Sequence, residues 1–210
     1  MFQERLLLLH NTIQQLQPAC TLVAVTKYQS WEMTQFAIDN GIQHIAESRL
    51  QHAKDKKNKL TWDFSYHMIG HLQSNKVSWT IEHMHIIQSV DSLRLAEKIS
   101  RICTEKSIRF PILVQCNLTQ EEQKYWFWTH EIDQAIEIIW SLPGIDLQGC
   151  MCMWQQDKQE KTRSIFKQLR TYCDTYKLPI CSMWMSQDRE IALQEWSTML
   201  RIWSFLFKDI

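Results

Sequence analysis

Lys27 closes the apolar run Leu22-Val23-Ala24-Val25-Thr26. A short β-branched run of this kind suits an interior strand of a parallel sheet, and ligands collect at the carboxyl ends of such strands. A lysine held there half out of water has its ammonium form destabilised, so its pKa falls and the neutral amine becomes available for Schiff-base chemistry with a carbonyl. A strand-end lysine that extends its ammonium into solvent is the competing reading. Towards the other end of the chain, Ser197-Thr198-Met199-Leu200-Arg201-Ile202-Trp203-Ser204 alternates as a strand, with Met199, Arg201 and Trp203 on one face and Thr198, Leu200 and Ile202 on the other. A charge on such a face is costly unless it is compensated, so Arg201 pairs either with a carboxylate or with a ligand atom. Ser186 and Ser204, at adjacent strand ends, suit a phosphate held by hydroxyls and backbone N–H groups.

The segment Tyr66-His67-Met68-Ile69-Gly70-His71-Leu72-Gln73-Ser74-Asn75-Lys76 is unusually polar for one that follows a strand. His67 and His71 have the i, i+4 spacing of a helical metal pair, but Gly70 and the strand pattern set them on different faces, and no metal is expected. Asn75 and its neighbours are instead expected to line a ligand cleft. Cys150 and Cys152 alternate on a strand and read as core.

These residues need a scaffold, and apolar runs alternate with amphipathic stretches along the whole chain. Strands are expected at 21–26, 43–45, 66–70, 86–90, 111–117, 146–151, 180–185 and 198–203, and helices at 31–40, 48–59, 73–80, 92–106, 130–141, 158–176 and 187–195. Eight strands separated by helices suggest a closed parallel (β/α)8 TIM-type barrel in an α/β class, more than an open sheet. Leu6, Leu9, Ile13 and Leu16 recur at helical spacing, so residues 2–17 form an amphipathic helix that covers part of it. Asp91-Ser92 and Ser186-Gln187-Asp188 can cap helices. The second strand is short, and little chain follows the eighth strand to make a last helix.

With 210 residues, the chain suits one domain, spanning 1–210. Lys+Arg and Asp+Glu both number 23, which leaves no global electrostatic reason for nucleic acid or an acidic membrane as partner. The basic run Lys54 to Lys59 reads as a solvated helix end. Seven cysteines, an odd number without paired spacing, point to a reducing cytoplasm, and no stretch is long and apolar enough to span a bilayer or to serve as a signal peptide. A monomer is expected. There are 4 glycines and 10 tryptophans, where average usage of about 7% would give roughly 15 glycines.

Leu22-Val23-Ala24-Val25-Thr26-Lys27, Ala46-Glu47-Ser48-Arg49, His67-Met68-Ile69-Gly70-His71-Leu72-Gln73-Ser74-Asn75-Lys76, Gln88-Ser89-Val90-Asp91-Ser92, Gly149-Cys150-Met151, Met185-Ser186-Gln187-Asp188 and Ser197-Thr198-Met199-Leu200-Arg201-Ile202 resemble, in order, the motifs of the pyridoxal phosphate homeostasis proteins. The resemblance covers nearly the whole chain and is most specific in the segment from His67 to Lys76. It implies a barrel like the alanine racemase N-terminal domain, with pyridoxal 5'-phosphate (PLP) joined to Lys27 as a Schiff base. Arg201 would face the pyridine nitrogen, and Ser186 and the turn from Ile202 to Ser204 would receive the phosphate. Motifs and resemblance together give an expected cofactor-binding set of Lys27, Ser48, His67, Asn75, Ser186, Arg201, Trp203 and Ser204, with no catalytic residue. An arginine at the pyridine nitrogen keeps the ring unprotonated and weakens its electron sink, which suits a carrier that buffers and delivers cofactor. The alternatives are a racemase-like PLP enzyme, which would need a second acid/base from beyond this chain, and a cofactor-free barrel.

The chain departs from the family pattern systematically. Tryptophan stands where the family has glycine at Trp126, Trp154, Trp184, Trp196 and Trp203, and at Trp128 as well, while Ala46 and Ser48 replace Gly and Asn. One replacement type repeated this often implies a single cause: UGA codons that the organism reads as glycine. If the indoles are real, Trp203 would crowd the phosphate turn, at overpacking costs of about 1–3 kcal/mol or more, and the expectation is a chain that either folds poorly or binds no cofactor.

Overall fold

A computed structural model describes residues 1–61, 63–118, 127–153, 159–184 and 188–208, without the side chains of Trp128 and Trp184. Among the described residues the strands are β1 (Thr21–Val25), β2 (His44–Glu47), β3 (Ser65–Met68), β4 (Ile86–Val90), β5 (Phe110–Asn117), β6 (Phe127–Trp128), β7 (Ile145–Cys152), β8 (Ile180–Trp184) and β9 (Met199–Ile202). They follow the order β4-β3-β2-β1-β9-β8-β7-β5-β6, and the further pairing of β4 with β5 closes eight of them into a parallel barrel. The two-residue β6, absent from the sequence-based expectation, pairs with the end of β5 outside the closed ring.

Strand alternation sorts the side chains into two environments. Outward-facing residues such as Ala24, Ile45, Ile87, Leu200 and Ile202 join the large core beneath the helices, and each fully buried aliphatic side chain there contributes about 1.5–3 kcal/mol. Inward-facing residues form smaller clusters: Val23, Val25, Ala46, Ile69 and Met199 on one side, and Ile86, Leu113 and Met151 on the other. The remaining inward volume is polar and holds His67, Gln88, Ser182 and Arg201, all buried. Gly149 is the close-approach point of this wall, because a Cβ there would lie 1.8 Å from the Ile180 carbonyl oxygen.

The helices lie near their expected positions with local differences. Ser30 caps the helix Trp31–Asp39 by accepting from the Met33 N–H at 3.1 Å, and Ser92 caps Leu93–Glu105 through Leu95. The expected helix 73–80 is a 3-10 turn, Ser74–Lys76, followed by Val77–His83. The N-terminal helix, Phe2–Leu16, buries Phe2, Leu6, Leu9 and Ile13, whereas Leu16 is 39% exposed. Phe2 replaces it as an anchor, its ring 5.4 Å from Phe36 and 5.7 Å from Phe207. Phe207 belongs to a four-residue helix, Ser204–Phe207, so the chain does form a short closing helix after β9.

Candidate cofactor site

Lys27 follows β1 directly and is half-buried. Its backbone is fixed from outside the barrel. Thr26 donates its hydroxyl to Glu47 Oε1 at 2.8 Å, and the Lys56 ammonium donates to that same oxygen at 2.6 Å and to the Thr26 carbonyl at 2.8 Å. This corrects the solvated reading of the basic run at 54–59: Lys56 is 4% exposed and its charge is neutralised by the fully buried Glu47. Beyond Thr26 the chain turns, with Gln29 N–H bonded to the Thr26 carbonyl at 3.0 Å and Tyr28 in the left-handed region at φ 69°. Backbone held in that region by a non-glycine residue is strained and gathers at functional sites. Burial, and then the Arg49 guanidinium, lower the Lys27 pKa, while Glu47 opposes them. The amine is therefore biased towards its nucleophilic form, as the chemistry of carbonyl capture requires.

Two aromatic rings stand beside this amine. Lys27 Nζ lies 5.1 Å from the Trp203 ring centroid and 5.8 Å from that of Tyr28, and the two rings are 5.8 Å apart. Ser204 follows Trp203 as the first residue of the closing helix. Ser48 follows β2, the strand beside β1, where Gly70 passes so close that a Cβ would fall 2.0 Å from the Ser48 carbonyl oxygen. Glycine is required there by contact rather than by backbone angle.

Arg201, on β9, is fully buried inside the barrel. No carboxylate partners it among the described residues: Nη1 donates to Gln88 Oε1 at 3.3 Å and to the Ser182 hydroxyl, and Nη2 to the Cys152 carbonyl at 2.7 Å. Its Nε is buried, with no hydrogen-bond partner among the described residues. Burial lowers its pKa to about 10, opposed by Cys152 and Cys181, and it remains a cation at neutral pH. A buried donor left open in this way is costly and matches a neutral ring-nitrogen acceptor.

The other expected residues are placed less simply. His67 reaches Arg201 only through Gln88, whose Nε2 is 2.7 Å from His67 Nδ1, so it supports the site from beneath. His71 turns away to Asp91 at 2.7 Å. Asn75 lines a groove with Ser74, Arg94, Glu97, Lys98 and Arg101. Ser186, Trp126 and Trp154 lie outside the described residues, as do the side chains of Trp128 and Trp184. Sequence reasoning missed Glu47, Lys56, Gln88 and Ser182. Gln88 and Ser182 were visible only as polar residues inside apolar strands, a signal of an interior polar layer.

The pattern of the alanine racemase N-terminal domain matches residues 8–209. The pyridoxal phosphate homeostasis protein of Synechocystis sp. is 33% identical over 207 residues, covering 94% of each chain, and that of Aquifex aeolicus is 28% identical over 219 residues, covering 96% of each. Among solved structures, PipY of Synechococcus elongatus without PLP superposes with a TM-score of 0.89 at 30% identity, and PipY with PLP bound with 0.86 at 28% identity; both comparisons cover 99% of this chain and 100% of PipY. The alanine racemase of Clostridium difficile, at 17% identity and a TM-score of 0.77 over 59% of its length, shares the fold. With its motifs, its barrel and a lysine and arginine facing one interior, this chain belongs to the pyridoxal phosphate homeostasis protein family.

Proposed function

We propose that this chain binds PLP covalently through Lys27 and acts in cofactor homeostasis, holding and releasing PLP instead of turning over amino acids. The observation that carries the reading is Arg201: a fully buried cation whose Nε has no hydrogen-bond partner among the described residues. The residues fit the group at two points, since Lys27 supplies an amine with a lowered pKa and Arg201 an open donor for the pyridine nitrogen. Bound PLP would supply an aldehyde carbon for the lysine and an electron-withdrawing ring.

The chain's own residues set what that ring can do. Arg201 donates and has no proton to give up at neutral pH, so it holds the pyridine nitrogen unprotonated and limits electron withdrawal. Thr26, Glu47 and Lys56 keep the Lys27 backbone in place. The turn from Ile202 to Ser204 is the proposed seat of the phosphate, and Ser186 is the further residue expected to receive it. The same reading holds the chain to be a single-domain cytoplasmic monomer without nucleic-acid or membrane partners; no described helix is long and apolar enough to cross a membrane.

The test adds PLP to the purified protein, records the visible absorbance, and reduces with borohydride before peptide mass analysis. A reduced adduct on the Lys27 peptide that Lys27→Ala abolishes, with no racemisation of amino acids, is the expected result. Steady racemisation would replace the carrier reading with the racemase-like one; absence of any adduct would favour the cofactor-free barrel.

A further inference from the structure

The polar layer behind Arg201 has a direction. The Ser182 hydroxyl accepts from Arg201 Nη1, so its own proton goes to Gln88 Oε1, at 2.8 Å. Gln88 Oε1 also receives Arg201 Nη1 at 3.3 Å. An oxygen facing two donors fixes the amide, and Gln88 Nε2 is turned to the Met199 sulfur at 3.1 Å and to His67 Nδ1 at 2.7 Å. An amide nitrogen only donates, which makes His67 Nδ1 an acceptor without a proton. The proton of neutral His67 therefore sits on Nε2, 3.1 Å from His44 Nδ1, which accepts it.

We propose that Gln88 is the positioning residue that holds Arg201 in its ligand-facing pose, and that His67 and His44 behind it lock the Gln88 amide in one orientation. Rotating that amide by half a turn would set its NH2 group against two donors, Arg201 Nη1 and the Ser182 hydroxyl, and its oxygen against the bare Nδ1 of His67. Both ends of the amide thus oppose the rotation. Burial, reinforced by His44, His85 and Arg201, keeps the His67 pKa far below the ordinary imidazole value, so the ring carries the single proton this arrangement needs. With Nη1 held by Gln88 and Ser182, and Nη2 by the Cys152 carbonyl, the planar fork is pinned at both of its terminal nitrogens, and Nε and the second N–H of Nη2 are the donors left to face a ligand. At its far end the relay reaches His44, which lines a cavity of about 550 Å3 with His10, Gln14 and Thr21. The orientation of a ligand-facing arginine is in this way tied to the tautomer of a histidine two links away.

The link from Arg201 to a pyridine ring rests on the proposed function; the relay is a property of the ligand-free chain and is tested there. Long-range 1H–15N correlation of histidine-labelled protein at neutral pH, without PLP, should show His67 protonated on Nε2 alone. Gln88→Glu should reverse it: a carboxylate accepts from Arg201, Ser182 and His67 alike, which moves the His67 proton to Nδ1. Gln88→Leu should mix the tautomers and weaken PLP binding about tenfold, the loss of a hydrogen bond to a charged group. A proton on Nδ1 in the unaltered chain, an unchanged His67 spectrum in Gln88→Glu, or undiminished PLP affinity in Gln88→Leu would overturn the proposal. Should Gln88→Leu fail to fold, the two spectra decide. Absence of a Lys27 adduct in the unaltered protein would refute the cofactor reading and leave the tautomer result standing.

Discussion

The two sides of the barrel mouth handle space in opposite ways. On the β1–β3 side, Gly70 lets its loop pass the Ser48 carbonyl with no room for a Cβ, and the Thr26–Glu47–Lys56 cluster bolts down the backbone that carries Lys27. On the β8–β9 side, the Trp203 indole stands beside the Lys27 amine, with the ring centroid 5.1 Å from Nζ. One side keeps backbone close and side chains small; the other puts the largest side chain where a ligand's anionic tail would seek N–H groups. The contrast gives substitutions opposite signs: adding bulk on the first side should harm the protein, and removing it on the second should help.

The largest effect belongs to Glu47→Ala. It leaves the Lys56 ammonium, 4% exposed, with a carbonyl as its remaining partner, and breaking a buried ion pair by removing one member costs about 3–5 kcal/mol. Urea unfolding should show that loss, and Glu47→Leu combined with Lys56→Met should recover most of it, because hydrophobic replacement of both members is close to neutral. Full stability in Glu47→Ala would show that the bolt on this side is not structural.

Gly70→Ala comes next. The new Cβ would meet the Ser48 carbonyl oxygen at 2.0 Å and its carbonyl carbon at 2.7 Å, backbone atoms that cannot swing aside as a side chain can. A loss of about 2–3 kcal/mol is expected from overpacking, measured by thermal or urea denaturation. An unaffected midpoint would mean that the loop has room to move and that the two sides differ less than their contacts suggest.

How much of this contrast was legible beforehand depends on the kind of signal. The barrel followed from eight apolar runs separated by amphipathic stretches, and the face that Arg201 shares with Met199 and Trp203 followed from strand alternation; both are patterns that the chain shows without knowledge of its tertiary contacts. Lys56 was misread because a run of lysines on a helix looks solvated until a carboxylate from another strand, Glu47, is known to lie beneath it. The roles of Gln88 and Ser182 depend on β4, β8 and β9 meeting across the barrel interior, a relation that no sequence window spans.

Trp203→Gly tests the crowded side directly. Its indole packs against the inward cluster of Val23, Val25, Ala46, Ile69 and Met199, so the ligand-free protein should lose about 1–2 kcal/mol, part of the cost of deleting a large side chain from a core. PLP affinity should move the other way, tightening about tenfold or about 1.4 kcal/mol, because the space beside Lys27 and the backbone after β9 become open to the phosphate. Titration followed by visible absorbance reads the second effect, and weaker binding would show that the indole is part of the ligand's seat.

The smallest effect is the most diagnostic. Trp196 follows the helix Arg189–Gln194, with Trp196 N–H bonded to the Leu193 carbonyl at 3.1 Å and Ser197 N–H to the Ala192 carbonyl at 3.0 Å. That paired closure puts its middle residue in the left-handed region, glycine's usual place. Gly41 fills the same position after the helix Trp31–Asp39, through Gly41 N–H to Ile38 at 2.9 Å and Ile42 N–H to Ala37 at 3.2 Å, while Ser107 and Lys177 fill it elsewhere. A bulky residue there costs about 1–2 kcal/mol, and an indole 62% exposed returns little through burial. Glycine would recover that cost less about 0.4–1 kcal/mol of extra unfolded-state freedom, so Trp196→Gly should stabilise by about 0.5–1 kcal/mol and raise Tm by about 1–4 °C. The same substitution is what the recoding expectation assigns to the organism's own protein, and the mass of the native peptide spanning position 196 separates the cases. Glycine there would make the left-handed strain at this helix end a product of translation, whereas tryptophan would make it a feature of the molecule.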